Sequence, residues 1–548
     1  MIYNLGKNNN ARDIAYFGSS SDYNNFKIRN TSNFSESNAL TINVNKINKN
    51  IILSIGEITY YYTNSATKLE SILITDVNLN PDKEYIQKII IYDHLNNRYD
   101  YIYVKFLKVS NNWYLDFFKL DNTALPSAIT ILPFTITYSG ENTNYIQGNI
   151  WGTKYLGWVQ RGADIDGEAG GDNSGRSVSL SDNGTVIAIG ANLNDGINGT
   201  DSGHVRVYQW NGTVWDQIGT DIDGEAASDE SGFSVSLSSD GSIVAIGANR
   251  NDGNGNNSGH VRVYQWNGTV WNQLGVDIDG KAVSDSSGTS VSLSSDGTIV
   301  AIGAWLNDNN VNDSGHVRVY QWNGTVWNQL GTDIDGEAVE DYSGSFVSLS
   351  GDGTIVAIGA WSNDGNGVDS GHVRVYEWNG TAWVQRGTDI DGEAAGDQSG
   401  KYISLSDNGT VIAIGAWAND GNGSNSGHVR VYQWTGTVWN QLGVDIDGET
   451  AADEFGWSVS LSSDGSIIAI GSIGNDGNGT NSGHVRVYEW IGTAWVQRGI
   501  DIDGEAVGDY SGYSVSLSSD GTVVAIGAIY NDGIHGTDSG HVRVYQFE

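Results

Sequence analysis

Cysteine is absent from the chain, so no disulfide braces its fold and thiol chemistry says nothing about its compartment. Proline occurs three times in 548 residues, at Pro81, Pro126 and Pro133, and methionine once. Basic residues are scarce: 28 Lys and Arg stand against 65 Asp and Glu, a net charge of −37. Such a field repels nucleic acid and anionic lipid and favours cations or basic partner patches. No stretch approaches the roughly 18 uninterrupted apolar residues of a membrane helix, so direct membrane insertion is not expected. The opening MIYNLGKNNNARDIAYF has neither the apolar segment nor the small-residue cleavage site of a secretory signal. No dinucleotide fingerprint, P-loop or zinc spacing is present, and no segment carries a convincing amphipathic helical period.

What is present divides in two. Residues 1–150 hold 13 basic and 13 acidic residues, which cancel, so 15 basic and 52 acidic residues remain in 151–548 and carry the whole net charge. All three prolines and a single tryptophan, Trp113, lie in the first part. Two domains are expected, 1–150 and 151–548. The first reads as all-β and sandwich-like, with strands such as LTINVNKI and SILITDV, and a hairpin turned at LNNR between the arms IIIY and YIYV.

The second part is a repeat. Residues 258–280 read SGHVRVYQWNGTVWNQLGVDIDG, and residues 314–336 repeat them with Val276 replaced by Thr332. The tag DIDG begins at Asp164, Asp221, Asp277, Asp333, Asp389, Asp445 and Asp501, a period of 57 and then 56 residues. Each copy holds four strand-like segments, in the second copy FSVSLS, SIVAIGA, HVRVYQW and VWNQLG. The links between them are rich in Asn, Asp and Gly, which suit tight turns. Asn-Gly between Trp266 and Trp271 marks a hairpin whose indoles meet across the strands, and an equivalent Trp pair recurs in five other copies. That spacing favours a structural staple over a sugar-binding row. The sequons at Asn211, Asn267, Asn323 and Asn379 are explained by the same hairpin turn.

The array lacks a fourth strand at its end, HVRVYQFE, and has a spare one at its start, GWVQRG. Pairing Trp158 with Phe547 repairs both ends at once. This predicts a seven-bladed β-propeller closed by its N-terminal strand, ahead of an open solenoid, because closure removes the exposed edges.

The segments SGxSVSLSSDGTIVAIGA, NDGNGxxSGHVRVYQW and WxQLGxDIDGEAAxD resemble FG-GAP repeats over roughly residues 155–548, with Phe455-Gly456 keeping the FG and AIGA standing for the GAP-like segment. That family builds the ligand-binding propeller of integrin α chains and of bacterial and giant-virus surface proteins. The resemblance implies a propeller whose long-loop face meets ligands. The family's calcium loop between first and second strands is not carried over, because links such as Ser239-Asp240-Gly241 are too short to supply six to eight oxygens.

Alternation of loops along a blade puts the fourth-to-first and second-to-third links on one face, gathering Asp221, Asp223, Glu225, Asp229 and Asp252 of the second copy there. Turn capping and pairing with the repeated arginine (Arg206, Arg262 and their equivalents) account for these acids ahead of metal. Calcium is the one cofactor raised, with Asp164, Asp166, Asp221, Asp223, Asp277, Asp279, Asp333, Asp335, Asp389, Asp391, Asp445, Asp447, Asp501 and Asp503 as candidate ligands. An asymmetric ligand can be recognised by a symmetric ring only where the copies differ. After the SG of each first strand stand Arg176, Phe233, Thr289, Ser345, Lys401, Trp457 and Tyr513, and after AIGA stand Trp305, Trp361 and Trp417 in three copies. These ten residues are the candidate ligand-binding set.

Catalysis usually breaks repeat symmetry, and seven of the nine histidines open the third strand of every copy, a structural pattern. The expectation is a non-enzymatic recognition or attachment protein. Residues 1–150 would anchor it to other virion or surface proteins, and the acidic face would meet a protein or glycan receptor. The setting expected is a virion surface or a cell surface. A purely structural capsid or fibre component and a bacterial adhesin are the alternatives.

Overall fold

The computed structural model describes residues 157–547 continuously and, ahead of them, the backbone of separate strands between residues 25 and 152. The expected sandwich of residues 1–150 lies outside the described residues. The hairpin over LNNR is given, Tyr85–Asp93 against Arg98–Val109, with Ile90 opposite Tyr101. Among the described residues there is no helix, and so none long and apolar enough to cross a membrane.

Gly157–Phe547 is one compact unit of seven blades. In blade 1 the inner strand Ser177–Leu180, the second Val186–Ala191 and the third His204–Trp210 run antiparallel, followed by an outer strand in two pieces, Trp215–Gln217 and Ile222–Asp223. Both pieces pair with the third strand, with Trp210 opposite Trp215 and Val205 opposite Ile222. The sequence reading placed all of DIDG in the loop to the next blade. The structure corrects this: the chain kinks after Gln217 and rejoins the sheet, which takes the apolar Ile222 into the core at 6% exposure.

The second strand reads as an unbroken apolar run because it is covered on both faces. Its residues alternate between neighbours. Val186 and Ala188 pack with Val235, Leu237, Val244 and Ile246 of blade 2. Ile187 and Ile189 pack with Val523, Ala525, Val542 and Val544 of blade 7. Each such buried Val or Ile stabilises by roughly 1.5–3 kcal/mol.

Blade 7 is completed by the start of the propeller. Trp158–Gln160 and Ile165–Asp166 both pair with His541–Phe547, with Trp158 opposite Phe547 and Ile165 opposite Val542. The Trp158 and Phe547 rings lie 5.1 Å apart. This is the closure expected from the sequence, and it excludes a linear stack.

Three circuits of hydrogen bonds then run from blade to blade and return to their origin. On the short-turn face, backbone N–H groups donate to the next blade's turn from Asp182 through Ser239, Ser295, Gly351, Asp407, Ser463 and Ser519, and Ser519 donates back to Asp182 at 2.8 Å. On the inner strands, each Leu N–H donates to the preceding blade's Ser hydroxyl, as Leu237 does to Ser179, and Leu180 closes on Ser516 at 2.9 Å. At the perimeter, each outer indole donates to the preceding blade's carbonyl, as Trp215 does to Arg161, and Trp158 closes on Arg498 at 2.8 Å. The Trp pairs, with centroids 5.3–5.5 Å apart, therefore join blades as well as hairpin arms.

The glycine of AIGA is explained by the same crowding. A Cβ at Gly303 would land on the carbonyl oxygen of Gly344 in the next blade, and the six equivalent glycines meet the same obstacle. We predict that Gly303→Ala destabilises the propeller by about 1–3 kcal/mol, read as a lower denaturant midpoint. An unchanged midpoint would refute the close approach.

Candidate functional site

Each inner strand is entered through a turn that carries the chain from the acidic face onto the axis. The residue two before the turn glycine takes left-handed backbone in all seven copies, at Asn173, Glu230, Ser286, Tyr342, Gln398, Glu454 and Tyr510 (φ 53–55°). The turn glycine follows in the same region, Gly175 at 91° and Gly232 at 89°. This geometry sets the next side chain at the mouth of the central channel.

Eight of the ten sequence candidates line one cavity there, of about 290 Å³: Arg176, Phe233, Thr289, Ser345, Lys401, Tyr513, Trp305 and Trp361. The other two, Trp417 and Trp457, pack against Lys401, whose Nζ lies 4.8 and 4.7 Å from their ring centroids and 5.5 Å from that of Trp361. The Arg176 guanidinium stands 4.0 Å from the Phe233 ring and 5.0 Å from that of Tyr513. Burial pushes the Lys401 ammonium down to about 8, with Glu454 opposing the shift and Arg176 adding to it.

Two lining residues escaped the sequence reading. In five copies the inner strand opens with a serine whose hydroxyl donates to a glycine carbonyl of the next blade, as Ser234 does to Gly288 at 2.8 Å. Blades 4 and 5 have Phe346 and Tyr402 instead, with rings 5.2 Å apart. Tyr342, from the left-handed position, bridges Trp305 and Trp361 at 5.1 and 5.2 Å. The signal was available: SFVSL and KYISL break the xSVSL pattern, and the residue before each SG varies from copy to copy.

The acidic tags form a separate collar, and their two aspartates have different tasks. The first of each pair (Asp164, Asp221, Asp277, Asp333, Asp389, Asp445 and Asp501) accepts from the glutamine of its outer strand at 2.5–2.8 Å. It also faces the buried histidine of the third strand, Asp221 lying 3.8 Å from His204 Nδ1. The second (Asp166, Asp223, Asp279, Asp335, Asp391 and Asp503) offers its main-chain carbonyl to the repeated arginine at 2.7–2.8 Å. Asp447 is the exception: Arg486 bonds to the Tyr488 hydroxyl and stands 4.7 Å from the ring of Phe455. Asp229 caps its own loop through the Ala226 N–H at 2.9 Å and holds Asn251 of the partner loop at 3.0 Å. Glutamine thus engages the first aspartate, loop capping engages Asp229, and the arginine meets the tag's glutamate, Arg262 lying 3.7 Å from Glu225.

Where an ion can be held is also defined. Glu168, His204 and Asp221 bring one ligand atom each within 4.8 Å of one another, as do Glu225, His260 and Asp277. This mixed nitrogen and oxygen set suits a borderline transition ion better than calcium. Among these tags Lys281 stands where the other six copies have Glu, and its ammonium binds Asp333 directly. The family's calcium position does not fit. Asp240, in the first-to-second link, spends Oδ1 on the Ser238 hydroxyl and the Ser242 N–H, both at 2.8 Å.

The histidines are buried neutral. Burial pushes His204, His260, His428, His484 and His541 down to about 4, helped by the adjacent arginine and opposed by the facing aspartate. His316 falls to about 3, where Lys281 adds to the shift. An imidazole that titrates lower in the fold than in the unfolded chain, near 6.5, leaves the unfolded chain with more protons between those values. Stability is therefore fully present above pH 6.5 and lost as pH falls toward 4. We expect the denaturant midpoint to drop between pH 7 and 5, each imidazole contributing up to about 1.4 kcal/mol per pH unit, and His260→Gln to make the slope shallower. A flat profile would contradict the assignment. Because capping and arginine pairing engage the collar, the melting temperature should be the same with and without excess EDTA. A fall on chelation would show that a metal holds the collar.

The FG-GAP repeat family model matches residues 220–264 and 444–488. No curated protein matches the chain. Among solved structures, Raptor of Chaetomium thermophilum is similar at 9% identity and TM-score 0.46, covering 72% of this chain and 29% of that one. The periplasmic gluconolactonase PpgL of Pseudomonas aeruginosa is similar at 14% identity and TM-score 0.42, covering 64% of this chain and 90% of that one. The two matched stretches fall in register with seven units that close into a ring, and residues 157–547 are an FG-GAP repeat β-propeller.

Proposed function

We propose that the propeller is a non-catalytic recognition module that takes its ligand at the mouth of the central channel, and that residues 1–150 anchor it for display on a virion or cell surface. One observation carries the reading: positions where seven near-identical copies depart from one another converge on a single aromatic-lined cavity. Concave sites with aromatic walls and a few polar groups are where small ligands and side chains bind. The collar supports the non-catalytic reading. Its histidines are 0–1% exposed, stand in every blade and face structural partners, and no carboxylate or histidine lines the cavity. The neutral composition of residues 1–150 beside the acidic propeller supports a division into support and display head.

The test is binding of the full chain to a glycan array and to candidate host cells. We expect selective binding that falls about tenfold in Trp361→Ala and Tyr513→Ala. A protein that serves only as scaffold would bind nothing on either surface.

A further inference from the structure

Both charged side chains that face the channel cavity are donors. Arg176 and Lys401 line it together, and no carboxylate does. In a propeller domain with 52 acidic and 15 basic residues, two cations sharing one cavity without an acid are an exception to the rest of the surface. The Arg176 charge acts unfavourably on Lys401. Neither cation makes an ion pair with a carboxylate among the described residues. Glu454 acts on Lys401 only from beyond that range, and Arg176 meets the Tyr402 hydroxyl. The aromatic faces beneath both cations hold them in place, but a π face accepts no strong hydrogen bond from an ammonium or guanidinium.

The indole Nε1 atoms of Trp305, Trp417 and Trp457 are buried without an acceptor. Their nitrogen edges are closed off behind the wall, and of the three only Trp305 belongs to the cavity lining, so these indoles serve the site through their ring faces. The perimeter tryptophans make the contrast: Trp215 and Trp271 donate to backbone carbonyls at 2.8 and 2.9 Å. Among the described residues the indoles buried without an acceptor are confined to the channel end of the blades.

The walls specify the rest of the ligand. Phe233, Trp361 and Tyr513 offer flat faces beside the two cations, and a cavity of about 290 Å³ has room for one ring with substituents. Stacking on such faces suits the C–H face of a sugar ring. The hydroxyl groups of a sugar can pair with the Thr289 and Ser345 hydroxyls of the lining, and a carboxylate answers the cation pair.

We propose that the channel cavity binds a carboxylate-bearing sugar, the acid held between Arg176 and Lys401 and the ring stacked on the neighbouring aromatics. This deepens the recognition reading and rests on it. The test is a tryptophan-fluorescence titration of the full chain with D-glucuronate, with D-glucose and acetate as separate probes, because three indoles surround Lys401. Glucuronate should give a saturable change at a concentration about tenfold or more below either control. Lys401→Met and Arg176→Gln should each weaken it about tenfold, the size expected for a lost charge-assisted hydrogen bond, with melting temperatures unchanged. Added salt should weaken glucuronate and leave glucose untouched.

Glucose matching glucuronate would overturn the proposal while leaving recognition at the channel intact. Acetate matching it would overturn the sugar assignment. No response to glucuronate would overturn the proposal as well, and the glycan-array result on the same preparation would then show separately whether the channel recognises anything. Retained glucuronate binding in both charge variants would also overturn it.

Discussion

Everything in the propeller depends on the second strand of each blade being apolar on both faces. Ile187 and Ile189 look one way while Val186 and Ala188 look the other, so a blade is stable only when it has a neighbour on each side. Such a unit cannot end an array without exposing one of those faces. Closure is the only arrangement of identical units that has no ends, and the polar circuits follow from it. The turn amides, the inner-strand serines and the perimeter indoles each find their partner one blade away, and each circuit returns to its starting blade.

Two electrostatic zones result from the same repeat. Positions that scarcely vary build the acidic collar, where glutamine and histidine face the first aspartate of a tag, arginine faces its glutamate and loop amides engage the capping aspartate. Variable positions build the channel, where cations lie on aromatic faces. A ligand carrying negative charge meets repulsion from the collar at long range and attraction only inside. At physiological salt the former is damped beyond about 8 Å. The arrangement favours selection by short-range contacts over rapid electrostatic capture.

The blade count, the closure through Trp158 and Phe547 and the cluster at the channel mouth were legible in the sequence, because each is a matter of register. A 56-residue period fixes which residues are equivalent, and equivalence fixes which stand together on the axis. What was not legible came from departures too small to disturb the period. The sequence gives no sign that the chain rejoins the sheet at Ile222, because one isoleucine between two aspartates is a weak strand signal on its own. Phe346 and Tyr402 lie one position from those singled out, on the face that serine occupies elsewhere, and their reach into the channel depends on side-chain direction. The three inward indoles and the perimeter indoles are the same residue type. Only coordinates separate those with acceptors from those without.

The order in which the seam is made has a consequence for biogenesis. The ribbon around Trp158 leaves the ribosome first and its mate at His541–Phe547 follows almost four hundred residues later. At ordinary translation rates that is an interval on the order of tens of seconds. During that time the six intervening units can form and stack as they emerge, yet an unmated edge persists at each end of the growing arc. Completion is thus a single late, long-range event that converts a half-open arc into a circle, and the nascent chain is most open to capture by chaperones or by its own neighbours just before it happens.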